Sequence, residues 1–283
     1  MPRREAAHGP PLFLAAGWLD RLKRSAPPAD HGRMETLTFA GVLGAVAGSF
    51  LNVVSYRLPR HESLIAPGSH CTRCGTPVRP YDNVPILSYL LLRGRCRSCG
   101  APISPRYPLV EALTAALCVG AVLAHRSAAG IALAVVLVLV LVPVTVIDFE
   151  YRIIPNRITA AGAVLALLIG TGLDPAGEPE RVIAGAAAGG LLLLVALAYP
   201  GGMGMGDVKL AGVMGLLLGR GVGAAIAIAV LAGALVGMIV LAREGARRGR
   251  KTAVPFGPFL ALGGIVSVFA GPQLVDLYVH HFL

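Results

Sequence analysis

The chain has 283 residues, 55% hydrophobic and 14% charged, with a formal net charge of +10 and a mean hydropathy of +0.71. That balance is too apolar for a soluble domain of this length and predicts an all-α polytopic membrane protein. The basic residues fall mainly between apolar runs, where they orient spans and meet anionic headgroups, so the expected partner is membrane lipid and not nucleic acid.

Residues 1–36 precede the first long apolar run and contain Arg3, Arg4, Arg21, Lys23, Arg24 and Arg33. The short apolar patch from Pro11 to Leu19 lacks a cleavage site and a full hydrophobic core, which argues against a signal peptide. Met34 stands as an alternative start; otherwise the stretch reads as a surface-lying or disordered extension. Apolar runs then follow at 37–56, 109–125, 129–147, 158–173, 182–200, 206–219, 221–242 and 257–279, predicting about eight transmembrane helices. The sixth is short and glycine-rich, divided from the seventh only by Gly219-Arg220-Gly221.

Arginine concentrates in two connecting segments: 57–108, with Arg57, Arg60, Arg73, Arg79, Arg93, Arg95, Arg97 and Arg106, and the stretch from Arg243 to Lys251. Both are expected on the cytoplasmic side. Alternate threading then puts the turns after Asp148 and before Asp207 on that side, and the acidic loop from Asp174 to Glu180 outside. The basic residues of 1–33 disagree with this threading, because it places them outside.

The 57–108 segment holds four of the five cysteines, as Cys71-Thr-Arg-Cys74 and Cys96-Arg-Ser-Cys99. Two tight CxxC turns at this separation can close a tetrahedral thiolate site, for zinc or another thiolate metal such as iron. The alternative of two disulfides needs an oxidising compartment. With all four positions filled by cysteine the site is expected to be structural, stapling a small cytoplasmic loop domain. Cys118, in the second run, reads as a small buried hydrophobe.

Two carboxylates stand at the edges of apolar runs. Asp148 ends the third, and Asp207 closes the tetrapeptide Gly204-Met-Gly-Asp207 where the sixth begins. An acid at the edge of hydrocarbon is costly, so two that can meet suggest a catalytic pair. Held close, they cannot both ionise cheaply: one keeps a proton while the other deprotonates a shared water. Gly204 and Gly206, lacking Cβ atoms, would let a substrate backbone approach Asp207. The plainer alternative is that Asp207 merely starts its helix. Lys209 suits an aspartate or a lipid headgroup equally well.

Several of these features together resemble the type IV prepilin peptidases: Gly48-Ser-Phe-Leu-Asn-Val-Val-Ser-Tyr-Arg-Leu-Pro59, the paired CxxC knuckles, Asp82-Asn-Val-Pro-Ile-Leu-Ser-Tyr89, Arg106-Tyr-Pro-Leu-Val-Glu111, Asp148 with Ile154-Pro155, Gly204-Met-Gly-Asp-Val-Lys-Leu210 and Pro255-Phe-Gly-Pro-Phe259. The resemblance runs in family order from about residue 40 to the end of the chain. It implies a bifunctional enzyme of the bacterial inner membrane. Such an enzyme removes the basic leader of type IV prepilins or type II secretion pseudopilins on the cytoplasmic side and N-methylates the new terminus with S-adenosylmethionine. Carried over, the catalytic aspartates are Asp148 and Asp207, with Gly204, Gly206 and Lys209 supporting them. Residues 129–283 would form the peptidase part and 37–128 the part associated with methyl transfer, with Gly94 and Glu111 as candidates there. Glu111 also fits an interfacial glutamate that snorkels. Asn156 departs from the pattern, standing where many relatives have an aspartate.

No Gly-x-Gly-x-x-Gly follows a strand, so methyl transfer enters only through the resemblance. His61-Glu62 lacks the second histidine of an HExxH site, and no Gly-x-Ser-x-Gly elbow occurs. Two rival readings are a transporter, which would usually show related halves that 37–147 and 158–279 do not, and a zinc-stapled scaffold of the pilus machinery.

Overall fold

The computed structural model describes residues 31–199, 202–245 and 255–282. The N-terminal stretch 1–30 and the basic cluster from Arg247 to Lys251 lie outside the described residues. In chain order the helices are α1 (His31–Arg57), the short α2 (Leu87–Leu91), α3 (Arg106–Ala124), α4 (Ala128–Tyr151), α5 (Asn156–Leu173), α6 (Glu178–Ala198), α7 (Met205–Leu218), α8 (Gly221–Glu244) and α9 (Gly257–Phe282). Each expected apolar run falls on one of the eight helices other than α2. Among the described residues there is no strand, only two isolated bridges, His70 with Pro77 and Arg95 with Pro102.

Among the described residues six helices, α1, α3, α4, α5, α6 and α8, are long and apolar enough to cross a membrane, making this a multi-pass membrane protein. The α7 helix, with 14 residues, spans only about 21 Å at the helical rise, short of a ~30 Å hydrocarbon core. Several helices start earlier than hydropathy predicts. The α1 helix is already formed at His31, ahead of 37, because helical hydrogen bonding does not need apolar residues; Thr36 and Thr38 return their hydroxyls to the carbonyls of Gly32 and Met34. Residues 31–36, expected to precede the first span, are thus its first turns. Likewise α6 starts at Glu178, with Pro179 in its first turn, where a missing N–H costs nothing.

The most apolar helix, α4, has a mean hydropathy of 3.0 and packs against α1, α3, α5, α7 and α9. Its Leu137, Leu141, Val144 and Ile147 are wholly buried, alongside Leu210 and Met214 of α7 and Leu260 of α9. Lipid is as apolar as leucine, so burial alone does not drive these helices together; close packing does. On the α6–α7 seam a Cβ on Gly215 would lie 2.5 Å from the Gly185 Cα. Small residues there let the backbones touch.

The segment between α1 and α3 is held differently. From 61 to 105 only Ser88 and Ala101 are buried. What fixes the segment is hydrogen bonding to the helix ends. Arg57, buried at the end of α1, donates Nη1 to the Ser63 carbonyl at 3.0 Å and Nη2 to the Pro67 carbonyl at 2.7 Å.

Candidate functional site

The chain turns sharply after α4: Arg152 takes a left-handed conformation with φ 55° and returns its N–H to the Asp148 carbonyl. Pro155 favours extended backbone before it, so the helix cannot run on. Asp148 is thereby placed on the last helical turn, 5% exposed. On α7 the N-cap is Gly204, in extended conformation, and no side chain caps the helix. Asp207 sits in the first turn with its N–H on the Gly204 carbonyl at 3.1 Å. It is 9% exposed, and its carboxylate lies against the backbone N–H of Gly204 in the same turn. The two acids, 59 positions apart in sequence, lie within electrostatic reach of each other.

A third helix joins them. The Gly257 N–H, at the start of α9, donates to Asp148 Oδ2 at 3.0 Å. A Cβ on Gly257 would lie 2.6 Å from that oxygen, so only glycine fits. Nothing in the sequence reasoning gave Gly257 a role, although the Pro255-Phe-Gly-Pro motif was its signal.

Gly206 packs against the corner that follows α4. A Cβ there would stand 2.8 Å from the Ile154 Cβ, so its bareness seats the α7 turn against the Ile154-Pro155 corner. Gly204 has only the Asp207 carboxylate close by, at 3.3 Å from its would-be Cβ. Lys209 pairs with neither an aspartate nor open solvent alone: its Nζ donates to Asn156 Oδ1 at 3.0 Å. The departure at 156 is therefore a partner of the supporting lysine. It accepts a charge-assisted hydrogen bond from the ammonium where an aspartate would make an ion pair.

The cysteine-bearing segment abuts the same end of the bundle. Arg106, opening α3, bonds Glu150 in the last turn of α4. The Arg60 guanidinium lies 3.9 Å from the Tyr56 ring centre and 5.4 Å from that of Tyr151. Both links reach α4 within three residues of Asp148.

Within the segment two knuckles repeat one geometry. Gly75 donates to the Cys71 carbonyl and Gly100 to the Cys96 carbonyl, each at 2.9 Å, with φ of +69° and +68° at the two glycines. The four sulfurs of Cys71, Cys74, Cys96 and Cys99 all lie within 4.8 Å of one another. The Cys71 to Cys99 separation is 3.8 Å. A tetrahedron with metal–sulfur bonds of about 2.3 Å has edges of about 3.8 Å, whereas a disulfide needs about 2.05 Å. All four are free thiols. The Thr76 hydroxyl, ahead of its amide, brings the Cys74 thiol down to about 6. The Cys99 thiol is pushed up to about 11: the Ala101 amide works against the shift, and burial and the three neighbouring sulfurs outweigh it. Thiols this crowded cannot all ionise without a cation among them, and the cluster could hold a metal. Cys118 is buried, 3% exposed, and away from the cluster.

Glu111 does not snorkel. It is 7% exposed, and its Oε2 accepts the Ile86 N–H at 2.7 Å. Ile86 has φ +63°, a costly conformation for a β-branched residue. Glu111 therefore pins the knuckle-bearing segment to α3. Gly94, also left-handed at φ +65°, lies under the Tyr89 ring, whose hydroxyl would be 2.9 Å from a Cβ at 94. Buried polar groups cluster on the facing stretch of α1. Asn52 donates to the Tyr107 carbonyl at 3.1 Å, and the Ser55 hydroxyl has no partner among the described residues.

Residues 42–125 match the family described as the bacterial peptidase A24 N-terminal domain, and 135–241 match the type IV leader peptidase family. A prepilin leader peptidase/N-methyltransferase of Bacillus subtilis is 36% identical over 86% of this chain and 98% of its own length. The protein of the same description from Burkholderia pseudomallei strain 1026b is 37% identical over 83% of this chain and 85% of its own length. The Pseudomonas putida one is 36% identical over 84% and 92%. No solved structure matches the chain.

Proposed function

Because the chain belongs to the type IV leader peptidase family, we propose that it cleaves the leader from type IV prepilins or pseudopilins and N-methylates the new terminus. The observation that carries the reading is the pair of buried carboxylates, Asp148 and Asp207, brought together from two helices. In the proposed reaction one aspartate takes a proton from a water as its oxygen bonds to the scissile carbonyl carbon. The other gives its proton to the carbonyl oxygen. The tetrahedral diol then collapses, the C–N bond breaks, and the amine leaves with a proton returned from the acids. No metal enters this step.

Gly204 leaves space beside Asp207 for a substrate backbone, Gly206 seats the turn that carries Asp207, and Lys209 fixes α7 to α5 through Asn156. Cleavage is assigned to residues 129–283 and methyl transfer to 37–128. S-adenosylmethionine would supply the methyl group to the freed amine. Glu111 and Gly94 are the candidates for holding it, a carboxylate being suited to a cationic sulfonium. The four cysteines hold zinc, which fits their sulfur spacing, as a structural ion. The enzyme lies in the bacterial inner membrane with the acids and the knuckles facing the cytoplasm.

The test is separate replacement. Asp148→Asn and Asp207→Asn should each abolish leader removal while methylation of a pre-cleaved peptide persists, because the acids work as a unit and neither delivers the methyl group. Asn156→Asp, which only changes the partner of Lys209, should leave cleavage near the wild-type level. Robust cleavage by either asparagine variant in purified form would refute the dyad.

A further inference from the structure

The first turn of α9 has few amides to give. Pro255 and Pro258 have none, and those of Phe259 and Leu260 return to the Phe256 carbonyl at 3.0 and 3.1 Å. The Gly257 N–H is directed out of the helix and is spent on Asp148 Oδ2 at 3.0 Å, in a buried contact linking positions 109 residues apart. Any Cβ at 257 would enter that contact. A helix start also carries partial positive charge, so the direction of the bond suits a carboxylate and not a neutral amide.

We propose that the Gly257 amide is the positioning donor of the cleavage site. It holds Asp148 by Oδ2 and leaves Oδ1 as the oxygen turned to the water and the substrate. The proposal rests on the reading of Asp148 as catalytic. It adds α9, which carries neither acid, to the machinery. Asp207 has no such amide donor from another helix among the described residues, so the pair is unequal. One acid is held by an amide of another helix, and the other sits in the first turn of α7 beside the Gly204 amide of its own turn.

The experiment removes the donor alone. Replacing Gly257 by its α-hydroxy acid through nonsense suppression exchanges the N–H for an ester oxygen and adds no side chain. In the full-length protein in lipid nanodiscs, the substrate is a synthetic peptide with a basic leader ending in glycine, followed by an apolar segment. Loss of one hydrogen bond to a charged group should lower kcat about tenfold to a hundredfold, with KM and Tm unchanged. Gly257→Ala should show the same kcat loss or a greater one. Gly264→Ala is the control on the same helix: its Cβ would crowd Leu141 at 2.8 Å and Met214 at 3.0 Å in the core. It should lower Tm and spare kcat. Asp148→Asn is run alongside. If it cleaves, the reading of Asp148 fails. If it is inactive while the ester variant keeps wild-type kcat, or if the ester lowers Tm as Gly264→Ala does and loses kcat only in proportion to the folded protein lost, the positioning role is overturned.

Discussion

Stripping the metal from the cysteine cluster should unfold the knuckle-bearing segment and leave the helical bundle standing. From 61 to 105 the only buried apolar side chain is Ala101, and burying an alanine methyl contributes about 0.8 kcal/mol. Ordering a single residue costs about 1–2 kcal/mol, so burial cannot hold some forty residues in place. The bonds from Arg57 and Glu111 hold the start of the segment and Ile86 between the knuckles, not the knuckles themselves. Thiolate coordination has the needed size, about 10–16 kcal/mol for small structural zinc modules. The amides to watch are those closing the knuckles: Cys71 to Thr76, Gly75 to Cys71, Cys96 to Ala101 and Gly100 to Cys96. Hydrogen exchange on the purified protein should show them protected with about one zinc per chain. Chelation, or Cys71→Ser or Cys96→Ser, should bring them to free-amide rates, while helix content barely changes because the five-residue α2 is the only α-helix in the segment. Protection that survives complete loss of metal would refute the staple, as would elemental analysis showing no thiolate metal at all.

Gly215→Ala should separate α6 from α7 and destabilise the protein by about 1–3 kcal/mol through overpacking, read as a lower midpoint in detergent unfolding; an unchanged midpoint would show that the seam yields freely. The Arg97 guanidinium, bonded to Asp82 at 2.6 and 2.8 Å, holds the Asp82 carboxyl below its ordinary value. A depressed carboxyl contributes stability above its unfolded value of about 3.9 and loses it as pH falls through the folded value. Carbon-detected titration of Asp82 should therefore show a midpoint under about 3.9 that returns to it in Arg97→Ala, and an unmoved midpoint would dismiss the pair. Disordering the knuckles through Cys71 or Cys96 should suppress methyl transfer more than cleavage. Cleavage should still fall in part, because Arg106 and Arg60 tie the segment to the end of α4; equal loss of both activities in every variant would mean that they are not separable.

Much of this protein is readable along the chain because the properties concerned are local. A membrane span is a run of apolar residues, a metal knuckle is two cysteines two residues apart, and an acid at a span's edge is conspicuous because hydrocarbon penalises it. The eight runs and the four ligand positions therefore need no knowledge of what packs where. Helix starts are less legible, since hydropathy registers where lipid begins and hydrogen bonding continues past it, as at His31 and Glu178. What lies beyond the sequence alone are the contacts between residues that share no local pattern. The Gly257 amide on Asp148, the seat of Gly206 on Ile154, Lys209 on Asn156 and Glu111 on the strained Ile86 each join segments whose meeting depends on the packing of whole helices. A glycine's bareness can serve a substrate or a neighbouring backbone, and a lysine can face a headgroup or an amide. Only the tertiary arrangement chooses between them, because it alone determines which atom occupies the space that the side chain leaves or reaches.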